Sequence, residues 1–254
     1  MHRIMMLVAV QAVLVGGLHA AAADEKEPTI ARGYTLKVKA GHEAEFETGM
    51  KKQIKWYKDN NETWQWHTWQ WETGENTGQY VFRSPGHYWK DLDDRSERTA
   101  RARAHFDEAV RPHLESMLGR IQKVLPAVSR WPEDADIPPM VSVLKFNVHY
   151  GMGEEFVHVI GKINEAIGKT DWDVQYAWVA GVSGTEVPTF WLVVARTSWT
   201  DMAGPDKPFW TMLEEVLGRA ESSALKERLV NCVREEHSAL ARFRPELSYI
   251  PTKR

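Results

Sequence analysis

Cysteine is nearly absent from this chain: Cys232 is the only one among 254 residues. An intramolecular disulfide is therefore excluded, as is a cysteine-rich metal centre, and the fold must hold together by packing. The ten histidines form no two-histidine, one-carboxylate spacing, so no metal site is expected. There is no glycine-rich phosphate loop and no Gly-x-Ser-x-Gly turn to present a serine nucleophile. An excess of charge of either sign is lacking as well. A formal net charge of −3 gives no electrostatic footprint for nucleic acid or an anionic membrane. Only one long apolar run exists, Ile4 to Leu18, and its fifteen residues fall short of the roughly twenty a membrane span needs.

That run follows His2 and Arg3 and leads into the small residues Ala20 to Ala23, just before Asp24 and Glu25. The pattern is that of a cleavable secretory signal over residues 1–23, with no cysteine near the cut to carry a lipid. Cleavage removes the single charge of Arg3, leaving the mature chain at about −4. The expectation is a soluble exported protein, in a bacterial periplasm, without membrane contact once the signal is gone.

What the sequence does have is an internal repeat. Tyr34 to Asp94 and Leu144 to Gly204 superimpose without a gap at a spacing of 110 residues. Identities include Val38/Val148, Gly41/Gly151, Glu45/Glu155, Phe46/Phe156, Gly74/Gly184, Trp89/Trp199 and Asp91/Asp201. The apolar pattern follows the same register, with Trp66 over Tyr176 and Tyr80 over Phe190.

Each copy reads as a strand ending at a glycine turn, then an amphipathic helix, a hairpin and further helix. The first strands are Tyr34 to Lys39 and Val141 to Val148, both alternating. Phe46, Met50 and Tyr57 share one helical face, as do Phe156, Ile160, Ile163 and Ile167. The hairpins run from Trp64 to Arg83 and from Val174 to Ala195. Pro112 and the Ser222-Ser223 pair read as starts of an additional helix in each half. Short final strands are expected at Ala127 to Trp131 and Ser238 to Phe243, with Pro126 to Pro139 linking the halves.

Strand, helix, strand, strand, helix, strand is the ferredoxin-like order. The fold class is α+β: two tandem βαββαβ repeats, residues 32–131 and 140–246, packed through their sheets as an intramolecular barrel. A lone copy would expose a tryptophan- and valine-rich sheet face, and joining the two copies removes that patch.

The chain here resembles the dimeric α/β-barrel superfamily, which includes antibiotic-biosynthesis-type and haem-degrading monooxygenases, as a fused pair. The resemblance rests on the duplicated topology, on Gly41-x-x-x-Glu45-Phe46 and Gly151-x-x-x-Glu155-Phe156, and on Trp89-Lys-Asp91 and Trp199-Thr-Asp201. Haem-degrading relatives imply an asparagine on the first strand, a tryptophan after the third and a histidine on the next helix. Asn147 and Trp199 approximate the first two, but the next histidine is His237, too far along. In the first copy His105 follows Trp89, but the first strand lacks an asparagine. Haem-binding relatives imply an axial helical histidine, for which His105, His113 and His158 are the options. No cofactor is assigned.

By strand phase, Thr35, Lys37 and Lys39, and Lys145, Asn147 and His149, face the barrel interior, as do Arg83 and Trp191. Buried polar groups must find partners, so these either pair with one another or line a ligand cavity. His149 is nominated as a general base, with Asn147 and Lys37 as catalytic polar groups. Lys39, Arg83, Trp66, Trp191 and Tyr176 are nominated for ligand binding. Trp64, Trp66, Trp69 and Trp71 occupy both faces of their strand, so they read either as packing or as an aromatic box.

The functional expectation is an exported protein that holds a small apolar or aromatic molecule between its two repeats. One alternative is a cofactor-independent or haem-linked monooxygenase-like enzyme. Another is a structural or interaction protein with a filled barrel, working through the charged helix around Arg95 to Glu108. The ligand's identity and homo-oligomer formation are left open.

Overall fold

The structure is a computed structural model that describes residues 27–251 apart from 171, 205 and 206. The expected signal lies outside the described residues. The first repeat runs β1 (Ile30–Val38), α1 (Glu43–Asp59), β2 (His67–Trp71), β3 (Tyr80–His87), α2 (Glu97–Ala109) and β4 (Leu114–Val124). The second runs β5 (Met140–Val148), α3 (Gly153–Ile167), β6 (Tyr176–Ser183), β7 (Thr189–Arg196), α4 (Phe209–Leu217), α5 (Arg219–Cys232) and β8 (Val233–Phe243).

The repeated residues have matching physical roles. Gly41 and Gly151 turn the chain with φ of +80° and +83°, a region that favours glycine. Phe46 and Phe156 are both fully buried, and each packs on the third strand at the same separation. The Phe46–Tyr80 and Phe156–Phe190 ring centroids are both 4.7 Å apart. The Trp-x-Asp motif is a turn-building device. Asp91 accepts the backbone N–H of Tyr88 at 2.8 Å, and Asp201 accepts that of Thr197 at 2.6 Å.

The eight strands close in the order β1-β3-β2-β8-β5-β7-β6-β4. Closure comes from edge strands pairing across the repeats: Trp71 of β2 opposes Ala241 of β8, and Gln122 of β4 opposes Gly181 of β6. Such closure removes the sheet edges that an isolated repeat would leave unpaired. The dimeric α/β-barrel fold is thus completed within one chain, with helices on the outer face and an enclosed lumen.

The last strands correct the sequence reading. In the first repeat β4 is Leu114–Val124, upstream of the expected Ala127 to Trp131, and β8 begins at Val233 rather than Ser238. Pro112 sits in a 3-10 turn, Arg111–His113, directly ahead of β4, and starts no helix. Residues after each last strand cross to the other repeat. Trp66 and Tyr249 exchange backbone hydrogen bonds of 2.7 Å, and Leu247 is fully buried in the first repeat's core. Symmetrically, Arg130 bridges Tyr176 and Val128 enters the second repeat's core. Each repeat therefore borrows its neighbour's tail to finish its core.

Candidate functional site

The nominated residues do not converge on one cavity. His149 is exposed past the end of β5, its backbone N–H bonded to the Cys232 carbonyl at 2.9 Å. Lys37 is exposed and paired with Glu115 at 2.7 Å, while Lys39 donates to the Pro112 carbonyl at 2.7 Å. Both lysines stand at the end of β1, where the strand leaves the barrel. Asn147 is buried but committed: it donates to Glu235 at 2.9 Å and accepts from Thr189 at 3.1 Å. Trp199 is half-exposed on the outer surface, away from Asn147, so the asparagine–tryptophan pattern is not assembled. Trp191 packs inside the barrel with Val141, Val143, Val179 and Ala241, backed by Trp69 and Trp71. Aromatic and aliphatic packing fills that part of the interior where a cavity between the halves is expected.

Trp66 and Tyr176 lie on the helix side of the sheet at equivalent positions, with different surroundings. The Tyr176 hydroxyl donates to Asn164 at 2.6 Å, and burial pushes its pKa up to about 12. Trp66 instead forms part of a cavity of about 350 Å³ between the outer face of the first repeat's sheet and α2. That volume lies within the range of small-molecule sites.

The cavity floor is aromatic. Trp66 lies on Phe82 with centroids 4.4 Å apart and planes 15° from parallel, and Tyr57 continues the stack at 6.4 Å and 7°. Trp64 forms a side wall, backed by the His87 ring at 3.8 Å. Burial holds His87 below its ordinary pKa, so an uncharged ring supports that wall. Ala102 on α2 and Gly119 on β4 supply no bulk, and their small size keeps the space open. Burial also raises the Tyr57 phenol well above its ordinary value, so the hydroxyl stays protonated.

The rim is rich in arginine. Arg98 is held by Glu62 at 3.2 Å and Arg111 by Asp107 at 2.7 Å. Arg32 and Arg95 also line the cavity and have no carboxylate partner among the described residues. Arg32 instead lies over the Tyr34 ring at 5.4 Å. Two guanidiniums are thus available above an aromatic floor, a combination suited to a flat ligand with an anionic group.

The duplication shows why only the first repeat has this space. Between the 3-10 turn and the last strand the first copy has residues 94–113, whereas the second has residues 204–232, nine more. The extra length forms α4, whose Leu213 is fully buried and whose Phe209 packs on Trp172 at 5.4 Å. Position 172 corresponds to Glu62 at the repeat spacing. Apolar side chains thus fill in the second copy what the first leaves open.

Sequence reasoning found Trp66 but missed Tyr57, Phe106, Arg32 and Arg98. The available signal was the contrast between the copies, with an arginine-rich first α2 region set against the longer, apolar insertion.

None of the histidines offered as axial ligands is placed to hold a haem in this cavity. His105 bonds Gln53 at 2.6 Å and stacks on Trp56, His113 meets His42 at 3.3 Å, and His158 is exposed. The cavity lining contains no histidine or cysteine. Among the described residues no three His, Cys, Asp or Glu side chains gather as a metal site. Nor is any described helix long and apolar enough to cross a membrane.

No family model matches the sequence, and no curated protein sequence does. Solved structures do resemble it in shape. A candidate monooxygenase from Lactobacillus acidophilus NCFM has a TM-score of 0.54 at 9% identity, covering 89% of this chain and 97% of that one. An anthrone oxidase-like protein has a TM-score of 0.50 at 13% identity, with 86% and 92% covered. A mutant chlorite dismutase from Candidatus Nitrospira defluvii, in complex with cyanide, has a TM-score of 0.52 at 11% identity, with 87% and 93% covered. The likeness is one of fold.

Proposed function

We propose that this protein binds a planar aromatic small molecule with an anionic group, in the cavity between the first repeat's sheet and α2. The observation that carries the reading is the Trp66–Phe82 stack beneath Arg32 and Arg95, within about 350 Å³ of space. Stacking supplies affinity without demanding a particular substituent, while the guanidiniums select for negative charge. Binding is favoured over catalysis because the cavity's carboxylates are already engaged. Glu62 accepts two backbone N–H groups as well as Arg98, and Asp94 is held below the usual carboxylate range by Thr99 and Ser96. Neither is placed to take a proton from a ligand.

A second reading comes from the monooxygenase and oxidase names borne by structures of this fold. In that reading the same cavity positions an electron-rich aromatic substrate for oxidation. The amino-terminal residues are further read as an export signal, so that binding takes place outside the cytoplasm.

Native mass spectrometry of the protein from its own host tests the first reading. Wild type should carry a co-purifying aromatic acid that Ala102→Phe, which fills the cavity, lacks. A bare polypeptide mass for both proteins, with no affinity for added aromatic acids, would overturn it.

A further inference from the structure

A second feature lies inside the barrel, away from the aromatic cavity. Gly33 of β1 pairs with Arg83 of β3 on one side and Arg120 of β4 on the other, and His67 of β2 pairs with Arg83. Directly paired residues on adjacent strands point to the same face, so His67, Arg83 and Arg120 form a row on the inner wall, with a gap at Gly33. The gap accommodates at least a methyl group: a Cβ placed on Gly33 would stand 3.7 Å from the Arg83 stem and 3.9 Å from the Phe82 carbonyl, ordinary contact distances.

Neither arginine has an ion-pair partner among the described residues. Arg83 Nε donates a long hydrogen bond of 3.4 Å to Gln122, and the buried Arg120 Nε has no partner. Glu75, in the β2–β3 hairpin, is the one carboxylate whose charge influences Arg120, and it makes no ion pair with it. Burial pulls the Arg83 guanidinium down to about 10, which leaves it a cation at neutral pH. Desolvation likewise lowers Arg120. Two cations are therefore held inside a barrel at a cost that no ion pair among the described residues offsets.

The repeat supplies an internal control. The same positions in the second copy are Ala177, Val193, Val143 and Ala239, and Val143 pairs with both Val193 and Ala239 just as Gly33 pairs with the two arginines. Apolar residues satisfy the architecture there. The fold therefore does not require arginine at these positions, and a glycine between them opens room that valine closes in the other copy.

We propose that the first repeat's inner wall is a binding site for an oxyanion, seated in the gap over Gly33 between the Arg83 and Arg120 guanidiniums. Gly33 is one strand from each arginine, so the two backbones are about 10 Å apart there. Inward-reaching guanidiniums can then grip one anion from both sides, each by a charge-assisted pair of N–H donors. His67, an uncharged imidazole beside Arg83, is engaged with the Gln65 amide oxygen through Nε2 at 3.2 Å and brings no competing negative charge.

Calorimetric titration of the purified full chain with inorganic phosphate, sulfate and acetate, none of them aromatic, tests this. Wild type should bind at least one of these anions at a single site. Saturation by phosphate or sulfate marks a free inorganic oxyanion, and saturation by acetate alone marks the carboxylate end of a larger ligand. Arg83→Gln and Arg120→Gln should each weaken binding at least about tenfold, and Gly33→Val, which copies the second repeat, should do the same with the arginines retained. Arg234→Gln, on the surface, should bind as wild type does. Circular dichroism monitors folding, and Arg83→Lys serves if Arg83→Gln does not fold, with the same weakening expected from loss of the paired donors. Absence of any site tighter than about 1 mM would overturn the proposal. So would an unchanged affinity in the folded Arg83, Arg120 and Gly33 variants.

Discussion

Arg98, on α2, reaches Glu62 at the foot of β2 across 3.2 Å and so pins the helix over the aromatic cavity. Glu62 is only 8% exposed, and the same carboxylate oxygen accepts the backbone N–H groups of Thr63 at 2.8 Å and Trp64 at 3.0 Å. Removing Arg98 leaves a buried carboxylate short of its cation, whereas removing Glu62 also strands two backbone donors. Arg98→Ala should cost about 1–3 kcal/mol, and Glu62→Ala should cost more than Arg98→Ala. Urea unfolding of both variants checks the order, and equal stability with wild type would show that the pair does not hold the helix.

Gly49 on α1 lies against the carboxyl-terminal end of α2. A Cβ there would lie 2.1 Å from the Ala109 carbonyl oxygen and 3.0 Å from its carbon, both backbone atoms that cannot swing aside. The second repeat has the fully buried Val159 at the corresponding position. Gly49→Ala gains about 1 kcal/mol of helix propensity but must move a helix. The expected outcome is a net loss of about 1–3 kcal/mol, read by thermal unfolding. A gain in stability would contradict the close packing of these helices.

The duplication, the helices and the hairpins were legible because their side chains answer to one apolar face. Phe156, Ile160, Ile163 and Ile167 announce α3 since only one side of it is wet. β4 was illegible for a specific reason. Its inner face carries Arg120 and Gln122 toward the lumen, and its outer positions include Gly119 and Lys123, so no alternation survives. The 110-residue register also fails after the 3-10 turn that follows the third strand, where α4 adds nine residues and shifts the last strands out of alignment. The aromatic cavity was hidden because it arises from what the first repeat lacks relative to the second. His149 misled because it lies one residue past the end of β5, where strand phase no longer determines direction.

The tails that cross between repeats should matter as much as the linker that joins them. Leu247, fully buried in the first repeat's core, comes from the segment after the second repeat's last strand. Leu247→Ala should cost about 2–5 kcal/mol, as for other leucines removed from a closed core. Exchange of backbone amides in Trp66 and Thr68, bonded to this tail, should rise with it. A small loss confined to the carboxyl terminus would mean that the tail is only loosely attached.

His67 makes stability depend on pH. Burial, with a smaller contribution from the Arg83 charge, lowers its pKa from 6.5 to about 4. The unfolded chain therefore binds a proton between these values that the folded chain does not. The stabilisation is complete above pH 6.5 and is lost as pH falls toward 4, amounting to at most about 3 kcal/mol. His87, also lowered by burial, acts in the same direction. His67→Gln should flatten part of this slope in urea titrations across that range. An unaltered slope would place the proton uptake elsewhere.

The proposed aromatic ligand site belongs to the first repeat alone, on the outer face of its sheet. Tryptophan indole N–H resonances of the full chain, followed by NMR during titration with 2-naphthoate, report on this directly. Saturable shifts are expected for Trp64 and Trp66, with little change at Trp172, Trp178 and Trp210 in the filled second repeat. Saturable shifts at those three instead, or at Trp69, Trp71 and Trp191 inside the barrel with Trp64 and Trp66 unmoved, would contradict it.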